Sequence, residues 1–333
     1  MKQRTTIRDV ARQAGVSVGT VSRVVNGHPS VTDAKRRVVL QVIAELGFQP
    51  DTAAQSLRRG TNRTLGVIIP DLRNPFFAEL MQRIELRAKE RGYSVLFASS
   101  DEQAESEEEL IANLVRRKVE GVVLVPSNRA ETIANPGGVR LVVVDRHIAG
   151  HPFVAADHRA GARAAADYLV SLGHRRIACI SGPERSFVAR ERLAGFMDVM
   201  ADRFAEADLD PATYVISAPF DYEGGRQAAE ALLSGTGPRP TAVFACSDQQ
   251  AIGVLRAAFD RRIAIPDQLS VVGFDGILLA DLVAPRLTTA AQPMALIANC
   301  ATDLLIGGEP LDNATSHIFP CTMVLRETCA PPA

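Results

Sequence analysis

Residues 6–26, TIRDVARQAGVSVGTVSRVVN, decide the fold of the first part of the chain. Thr6 followed three residues later by Asp9 has the spacing of a capping box, which begins a helix. A stripe of apolar residues then runs to Gly15, which is suited to end that helix. Ser17 is the predicted N-cap of a second short helix directly afterwards. Two helices separated by about three residues, the second polar on one side, predict a helix-turn-helix.

A third helix is predicted after this pair, and its charge pattern is informative. Thr32 has the side chain of an N-cap, Gly47 is suited to end the helix, and apolar residues recur between them at helical spacing. Lys35, Arg36 and Arg37 fall in its first turn, where positive charge is mildly unfavourable for the helix dipole. We therefore expect phosphate from outside the chain to compensate for these cations.

The charge of the chain is strongly asymmetric. Residues 1–63 contain 11 Lys and Arg residues against 4 acidic residues, a net charge of +7, whereas the other 270 residues carry −8 and the whole chain −1. A basic arm on an acidic body is typical of a protein that meets a polyanion with one end only. The alternative is a purely structural three-helix bundle, which has no need of this charge. The asymmetry therefore favours DNA binding.

Residues 6–26 resemble the DNA-binding headpiece of the lactose-repressor (LacI/GalR) family, and FQPDTAAQSLR at 48–58 resembles the hinge helix of that family. The resemblance implies a transcription regulator that works as a homodimer on near-palindromic, double-stranded operator DNA. It also implies a set of DNA-binding residues, namely Thr6, Ser17, Val18, Gly19, Thr20, Ser22, Arg23, Asn26, Ala54 and Leu57.

The recognition helix of this set offers few side chains that can distinguish bases. Arg23 can make a bidentate contact to guanine, worth about 1–3 kcal/mol of discrimination, and Val18 can touch a thymine methyl group. Gly19 makes no side-chain contact and weakens the helix by about 1 kcal/mol relative to Ala. In the short hinge helix, Leu57 resembles a wedge that enters the minor groove and kinks the DNA. The alternative for that segment is a flexible linker.

From Thr64 onward, short apolar runs alternate with amphipathic helical stretches. Continuous runs of Val, Ile and Leu indicate parallel strands that are buried on both faces. The predicted strands are 65–70, 93–98, 119–125, 139–144, 175–181, 213–217, 242–246, 269–274 and 321–326. The predicted helices include 75–91, 104–118, 159–172, 190–206, 222–234 and 248–261.

These elements form two successive α/β halves, a layout that resembles the type I periplasmic-binding-protein-like fold. The predicted fold class is therefore an N-terminal all-α helix-turn-helix headpiece plus an α/β type I periplasmic-binding-protein-like domain with two Rossmann-like lobes. The expected domains are 1–48 for the headpiece, 49–63 for the hinge helix and linker, and 64–333 for the effector-binding and dimerisation domain. Within the last, lobe 1 is expected at about 64–157 plus 290–318, and lobe 2 at about 158–289 plus 319–330.

Side chains that directly follow the predicted strands form a coherent set, because ligands of open α/β sheets bind beyond the carboxyl ends of the strands. Aromatic rings suit the apolar face of a sugar, and carboxylates and guanidinium groups suit its hydroxyls, which both donate and accept hydrogen bonds. The predicted effector-binding residues are Asn74, Phe76, Phe77, Asp145, Arg146, Arg192, Phe220, Ser247, Asp275 and Gln292. No single member is specific, since an Asp after a strand is more often a helix cap.

The same set resembles the ribose-binding members of this superfamily. Ser247 departs from them, since they have a longer amide at this position, and the identity of the sugar therefore stays open. Purine-binding members are less similar, because Ser186 and Val188 stand where those proteins place polar groups. Arg190 is either a second contact at the rim of the site or a solvated helix residue.

Other classes of protein are disfavoured. The sequence has no dinucleotide-binding, P-loop, serine-hydrolase or zinc-protease motif, so an enzyme on the same α/β body is the weaker alternative. An exported sugar-binding protein is disfavoured by the basic headpiece and by an N-terminus without the apolar core of a signal peptide. No run approaches the ~20 apolar residues of a membrane span.

The remaining expectations concern metals, cysteines and assembly. His147, His151 and His158 near Asp145 and Asp157 suggest a metal, but Gly150 and Pro152 preclude a helical i,i+4 pair, so these are expected to be loop histidines with satisfied hydrogen bonds, and neither a metal nor a cofactor is expected. The five scattered cysteines are expected to be reduced, as in a cytoplasmic, nucleoid-associated protein. The last residues carry no leucine heptads, and a dimer is therefore expected in place of a tetramer.

Overall fold

The computed structural model describes residues 5–25, 28–48, 62–128, 132–135, 137–206, 210–234, 238–308 and 311–332. The chain divides into two compact units, residues 1–62 and residues 63–333. The predictions for Asn26 and for the hinge segment with Ala54 and Leu57 lie outside the described residues.

The small unit consists of three helices, α1 (Ile7–Gln13), α2 (Val18–Val25) and α3 (Asp33–Leu46). The backbone N–H of Thr6 donates to the Asp9 carboxylate over 3.0 Å, as the capping-box spacing predicts. Ser17 Oγ accepts the backbone N–H of Thr20 over 3.1 Å at the start of α2. Gly47 ends α3 with a left-handed φ of +57°, a conformation that glycine adopts without steric cost.

One apolar cluster holds the three helices together. Val10, Val21 and Val39 are fully buried, and they come from α1, α2 and α3 respectively. Four residues, 14–17, separate α1 from α2. The predicted helix-turn-helix is therefore present, with one face of α2 in the core and the opposite face exposed.

The large unit alternates strands and helices. Its strands are β1 (Thr64–Ile69), β2 (Ser94–Ser99), β3 (Gly121–Leu124), β4 (Arg140–Val144), β5 (Phe153–Ala156), β6 (Ile177–Ser181), β7 (Val215–Ser217), β8 (Ala242–Ala245), β9 (Ser270–Asp275), β10 (Thr288–Ala291), β11 (Ser316–Phe319) and β12 (Thr322–Val324). Its helices are α4 (Pro75–Glu90), α5 (Ala104–Arg116), α6 (His158–Ser171), α7 (Phe187–Glu206), α8 (Pro211–Tyr214), α9 (Tyr222–Ser234), α10 (Asp248–Asp260), α11 (Leu279–Leu282) and α12 (Met294–Ile306).

The strands form two six-stranded sheets. The order of the first sheet is β11–β5–β4–β3–β1–β2, and that of the second is β12–β10–β9–β8–β6–β7. All pairs in the first sheet are parallel, and only β12, which pairs with β10, is antiparallel in the second. In each sheet the carboxyl ends of the parallel strands therefore lie at one edge, where a ligand can bind.

The central strands are buried throughout, as their continuous apolar runs predict. Every residue of β3, β8 and β9 is buried. The edge strand β2 differs, because it has a neighbour on one side only, and Phe97 in it is 52% exposed. No described helix is both long enough and apolar enough to cross a membrane.

Six elements are not among those predicted from the sequence patterns, and one strand is predicted wrongly. The missed elements are β5, β10, β11, α8, α11 and α12. The missed strands have four residues each, with the sequences FVAA, TTAA and SHIF. None of them contains two consecutive residues from Val, Ile and Leu, so they lack the aliphatic run that marks a buried strand. The run 321–326 was expected as a buried parallel strand, but β12 spans only Thr322–Val324, pairs antiparallel and is partly exposed at the sheet edge.

The chain passes between the two sheets at three short links. Asp157 links β5 to α6, residues 292–293 link β10 to α12, and residues 320–321 link β11 to β12. Helix α6 contacts the second sheet, whereas α12 contacts the first. The two sheets with their helices therefore form two lobes joined side by side.

Candidate functional site

The carboxyl ends of the strands in both sheets border a shared cleft of about 980 Å³. An adjoining pocket of about 20 Å³, here called the effector pocket, opens toward this cleft and shares Asn74, Phe77, Arg146 and Phe220 with it. Besides Val188, its lining consists of nine of the ten residues predicted for the effector, namely Asn74, Phe76, Phe77, Asp145, Arg146, Arg192, Phe220, Ser247 and Asp275. The tenth, Gln292, donates its Nε2–H to Asp275 Oδ1 over 2.9 Å and so contacts the pocket wall.

Arg192 organises the side of the pocket formed by the second sheet. Its guanidinium lies 3.0 Å from Asp275 Oδ1 and donates to the carbonyl oxygen of Cys246 over 2.5 Å. The same group lies over the ring of Phe274, 3.9 Å from the centroid, a cation–π contact. Since the side chain is only 4% exposed, these contacts hold a charged group in a fixed position away from water.

Asp275 is a buried carboxylate with competing influences. Burial raises its pKa to about 6, although the Arg192 charge and the hydrogen bond from Gln292 favour the ionised form. Its backbone has a φ of +114°, a region that non-glycine residues rarely occupy. Strain of this kind costs about 1–3 kcal/mol and is concentrated at functional sites.

Asp145 is the matching carboxylate at the end of β4. It too has a positive φ, +67°, and it is 4% exposed. Its Oδ1 is buried and accepts no hydrogen bond from any described residue. His158 Nε2 lies 3.4 Å from it. Because a buried acceptor without a well-aligned hydrogen bond is unfavourable, this oxygen is suited to receive a ligand hydroxyl.

His158, at the first position of α6, joins the two halves of the pocket. Its Nδ1 accepts from Arg192 Nε over 3.4 Å, so its Nε2 carries the proton and donates to the backbone oxygen of Asp145 over 3.2 Å. Burial, followed by the Arg192 charge, lowers the pKa of His158 to about 4. The ring is therefore neutral at pH 7.

Arg146 lies on the side of the pocket formed by the first sheet. Its guanidinium forms two hydrogen bonds to the Glu102 carboxylate, over 3.0 and 3.1 Å, and one to the carbonyl oxygen of Pro126 over 2.7 Å. It also lies 5.3 Å from the centroid of the Phe77 ring. Glu102 in turn accepts the backbone and side-chain N–H groups of Asn128. These contacts fix Arg146 at the mouth of the cleft.

The aromatic rings form apolar surfaces on opposite sides of the pocket. Phe76 and Phe77 are nearly buried and pack edge to face, with centroids 5.3 Å apart. Phe220 comes from the other lobe and lies against Gly182, where an added Cβ would come within 2.1 Å of the ring. Only glycine at position 182 therefore lets this ring keep its place.

Two predicted residues serve first as helix caps. Asn74 Oδ1 accepts the backbone N–H of Phe76 over 3.0 Å at the start of α4. Ser247 Oγ accepts the backbone N–H of Gln250 over 3.2 Å at the start of α10. Each side chain keeps donor capacity toward the pocket, namely the Asn74 amide and the Ser247 hydroxyl.

In the small unit, the predicted DNA-binding residues lie mostly on the exposed surface. Thr6, Ser17, Gly19 and Arg23 are exposed, and Val18 is 40% exposed, whereas Thr20 and Ser22 are half-buried. Arg23 forms no ion pair with any described carboxylate. Exposed groups of this kind on one face of α2 can reach the edges of bases in a groove.

Two family models match the chain. Residues 6–51 match the model for bacterial regulatory proteins of the lacI family, and residues 166–329 match a periplasmic binding protein-like domain. A ribose operon repressor from Halalkalibacterium halodurans is 38% identical over 328 residues, 97% of this chain and 97% of that protein. The chain belongs to the lacI family.

Solved structures of other lacI-family proteins are similar to this member. The Lac repressor dimer bound to operator and the anti-inducer ONPF has a TM-score of 0.83 at 27% identity and covers 98% of this chain and 100% of its own. A LacI family transcriptional regulator from Enterococcus faecium with bound ribose has a TM-score of 0.67 at 26% identity, over 81% of this chain and 100% of its own. The predicted family and fold class are confirmed, and all three relatives are regulators by name, not enzymes.

Two residues that hold pocket residues in place are not predicted by the sequence patterns. His158 is expected to be a loop histidine, but it begins α6 and lies buried beside Asp145 and Arg192. Glu102 lines the cleft, and its bidentate pairing with Arg146 depends on the tertiary fold. Among the described residues, no group of His, Cys, Asp and Glu could hold a metal ion.

Proposed function

We propose that this lacI-family protein is a transcription repressor that binds operator DNA as a homodimer and whose operator affinity is controlled by a small sugar bound between its two lobes. The observation that carries the proposal is the effector pocket, in which nine predicted side chains from the ends of five strands and from α7 converge. The family membership and the relatives named for the ribose operon support the proposal.

For DNA binding we propose that α2 lies in the major groove. Arg23 would contact guanine and Val18 a thymine methyl group, while Thr6, Ser17, Thr20, Ser22 and Asn26 would hold phosphates or the helix start. Two headpieces in a homodimer imply a near-palindromic operator. Ala54 and Leu57 would act in the minor groove, where Leu57 kinks the DNA.

For the effector we propose a pentose or a closely related sugar. A sugar hydroxyl both donates and accepts hydrogen bonds, and Asp145 Oδ1 in the pocket is a buried acceptor without a well-aligned hydrogen bond from a described residue, its nearby donor being His158 Nε2 at 3.4 Å. Arg192 donates from the opposite side, and the rings of Phe77 and Phe220 cover the apolar face of the sugar. The bound ribose of the Enterococcus faecium relative supports this ligand class.

The proposed mechanism is a change of lobe angle. A ligand shifts the equilibrium only if it binds one lobe arrangement better than the other. The lobes are proposed as 64–157 plus 292–320 and 158–291 plus 321–330, two residues later at both crossings than the expected 290–318 and 319–330, because β10 and β11 each stay whole in one sheet; a headpiece at 1–48 and a hinge segment at 49–63 precede them. The lobe angle sets the spacing of the two hinge segments in a dimer, and the sugar releases the DNA. The proposed location is the cytoplasm, at the nucleoid.

The test is a fluorescence-anisotropy titration of the purified protein against promoter fragments of its own genome, with and without ribose. We expect affinity for at least one fragment to fall steeply with salt, because phosphate contacts release counterions, and to fall further when sugar is added. If no double-stranded fragment shows salt-sensitive binding in either condition, the proposal is wrong.

A further inference from the structure

A second recess, here called the basic recess, adjoins the effector pocket. Its volume is about 600 Å³, and it lies between the loops after β3 and β4 on one side and the start of α7 on the other. It shares Arg146 with the effector pocket, and it shares Asn128 and Arg185 with the open cleft. A ligand in the open cleft can therefore extend into it past Asn128, Arg146 and Arg185.

The basic recess has more positive than negative charge. Arg185 and Arg190 line it, both are exposed, and neither forms an ion pair with a described carboxylate. Arg190 donates to the backbone oxygen of Arg185 over 2.9 Å, which keeps the two residues together. The charge of Arg146 is offset by Glu102. The nearby Glu184 lines the open cleft and is not part of the recess wall.

A hydroxyl also lies in the recess wall. Ser127 is 3% exposed and lines the basic recess, and its Oγ forms no hydrogen bond of good geometry to a described residue. Its side chain lowers the pKa of the neighbouring buried carboxyl of Glu107, which also accepts its backbone N–H, so the position of Ser127 is fixed. A hydroxyl that is held without a well-aligned hydrogen bond can donate to an anion oxygen.

The recess also lies at the first turn of the 20-residue helix α7, since Phe187 is part of its lining. The positive end of the helix dipole favours anions at such a position. Two guanidinium groups, a hydroxyl donor and a helix start together fit the three oxygens of a phosphate monoester. A neutral sugar hydroxyl would use only a fraction of these donors.

We propose that the effector is a phosphorylated sugar, with its ring in the open cleft against the effector-pocket residues Phe77, Arg146 and Phe220, and its phosphate in the basic recess, bound by Arg185, Arg190 and Ser127. This inference rests on the proposed function and names the ligand class more closely. The phosphate belongs to the sugar and is not a separate inorganic anion.

The test is isothermal titration calorimetry of the full-length protein with ribose, ribose 5-phosphate, glucose, glucose 6-phosphate and inorganic phosphate. We expect at least one sugar phosphate to bind about tenfold more tightly than its parent sugar, because charge-assisted hydrogen bonds are stronger than neutral ones. We expect inorganic phosphate, added with the parent sugar, not to reproduce this gain. A sugar phosphate that binds no more tightly than its parent would overturn the proposal, as would a gain reproduced by inorganic phosphate.

The matched variants are Arg185→Gln/Arg190→Gln and the control Arg203→Gln. Arg203 lies on the same helix, is exposed and donates to a backbone oxygen, but it is far from the recess lining. We expect the double variant to bind the sugar phosphate no more tightly than the parent sugar, with its affinity for the parent sugar as in wild type. The control should bind both ligands as wild type does. A gain that survives in the double variant contradicts the recess assignment.

Failure of this proposal is distinguishable from failure of the proposed function. If the parent sugar binds and changes operator affinity but its phosphate brings no gain, only the phosphate assignment is wrong. If neither the sugars nor their phosphates bind, the sugar-responsive function and the phosphate assignment are both wrong.

Discussion

Arg192 and Asp275 form a buried pair, and the loss of one partner leaves the other charge without compensation. We predict that Arg192→Met lowers the free energy of unfolding by about 3 kcal/mol at pH 7, because an unpaired buried carboxylate is strongly unfavourable. The loss should be larger at pH 8 than at pH 6, since Asp275 already has a pKa raised to about 6 and can take up a proton at the lower pH. Urea unfolding followed by circular dichroism measures both values.

The control for this prediction is Arg192→Met/Asp275→Asn, in which neither charge remains. We expect this double variant to regain part of the lost stability and to lose the pH dependence of the loss. Equal stability of Arg192→Met and wild type at pH 8 would contradict a buried ion pair.

His158 gives the protein a defined sensitivity to acid. In the unfolded chain its pKa is near the ordinary 6.5, whereas in the folded protein it is lowered to about 4. Below pH 6.5 the unfolded state therefore binds a proton that the folded state does not, and stability is lost as the pH falls from 6.5 toward 4. Between pH 7 and pH 5 we predict that wild type loses about 2 kcal/mol more stability than His158→Gln.

The measurement is denaturant unfolding of both proteins at pH 8, 7, 6 and 5. Between pH 7 and pH 8 the difference in free energy of unfolding between wild type and His158→Gln should stay nearly constant, because the imidazole is neutral in both the folded and the unfolded state. Parallel curves over the whole range would show that His158 is not held neutral in the folded protein.

Local sequence patterns predict some residues of the site, and the tertiary fold alone places the others. Arg192 and Asp145 follow predicted strands or lie in a predicted helix, so local patterns are sufficient to suggest them. His158 comes close to Asp145 where the lobes meet, whereas Glu102 meets Arg146 because β2 and β4 end at the same edge of the first sheet, and the partners of His158 and Glu102 are 34 and 44 residues away in sequence. No local pattern contains that information.

Among the elements, α2 contains a glycine where a side chain would fit. A Cβ on Gly19 would meet only Ser17 Oγ, at 3.7 Å, and the backbone there is helical. We predict that Gly19→Ala stabilises α2 by about 0.5–1 kcal/mol, because alanine loses less backbone entropy in a helix. Hydrogen exchange of the amides in α2 of the full-length protein would report this as slower exchange.

The matched control is Gly47→Ala at the end of α3. Its φ is +57°, so the added methyl group is strained although no atom lies within 4 Å. We expect faster amide exchange in the last turn of α3 in this variant. Faster exchange of α2 in Gly19→Ala would contradict the interpretation of Gly19 as a weak point of the recognition helix.

Elements were predictable where an aliphatic run or a cap is long enough to stand out. The buried strands β3, β8 and β9 consist mostly of Val, Leu, Phe and Ala, and Ser17 caps α2 as its spacing predicts. The strand β10, TTAA, is buried because neighbouring strands flank it on both sides. The position of the strand within the sheet causes its burial, and its composition does not indicate it.

At the scale of the whole molecule, ligand binding and DNA binding should separate by mutation. We predict that Asp145→Asn weakens sugar binding by about tenfold or more, because the buried carboxylate acceptor becomes a weaker neutral one. Operator affinity without sugar should stay as in wild type, since Asp145 lies in the large unit and not in the headpiece. Anisotropy titrations with operator, at increasing sugar concentration, measure both quantities.

The control is Asp198→Asn, whose exposed carboxylate pairs with Arg159 outside the pocket lining. It should respond to sugar as wild type does. If Asp145→Asn also lost operator binding in the absence of sugar, the carboxylate would have a structural role that the proposed mechanism does not include.

The three links between the sheets contain only one, two and two residues, at 157, 292–293 and 320–321. Since an extended residue spans about 3.3–3.6 Å, no link can stretch far enough for the lobes to separate. The lobes can rotate about these three links, but they cannot move apart. A ligand in the cleft can therefore change the angle between the lobes and not the distance between them. Insertion of a few glycines at all three links should leave each lobe folded, but ligand binding should then no longer set the lobe angle.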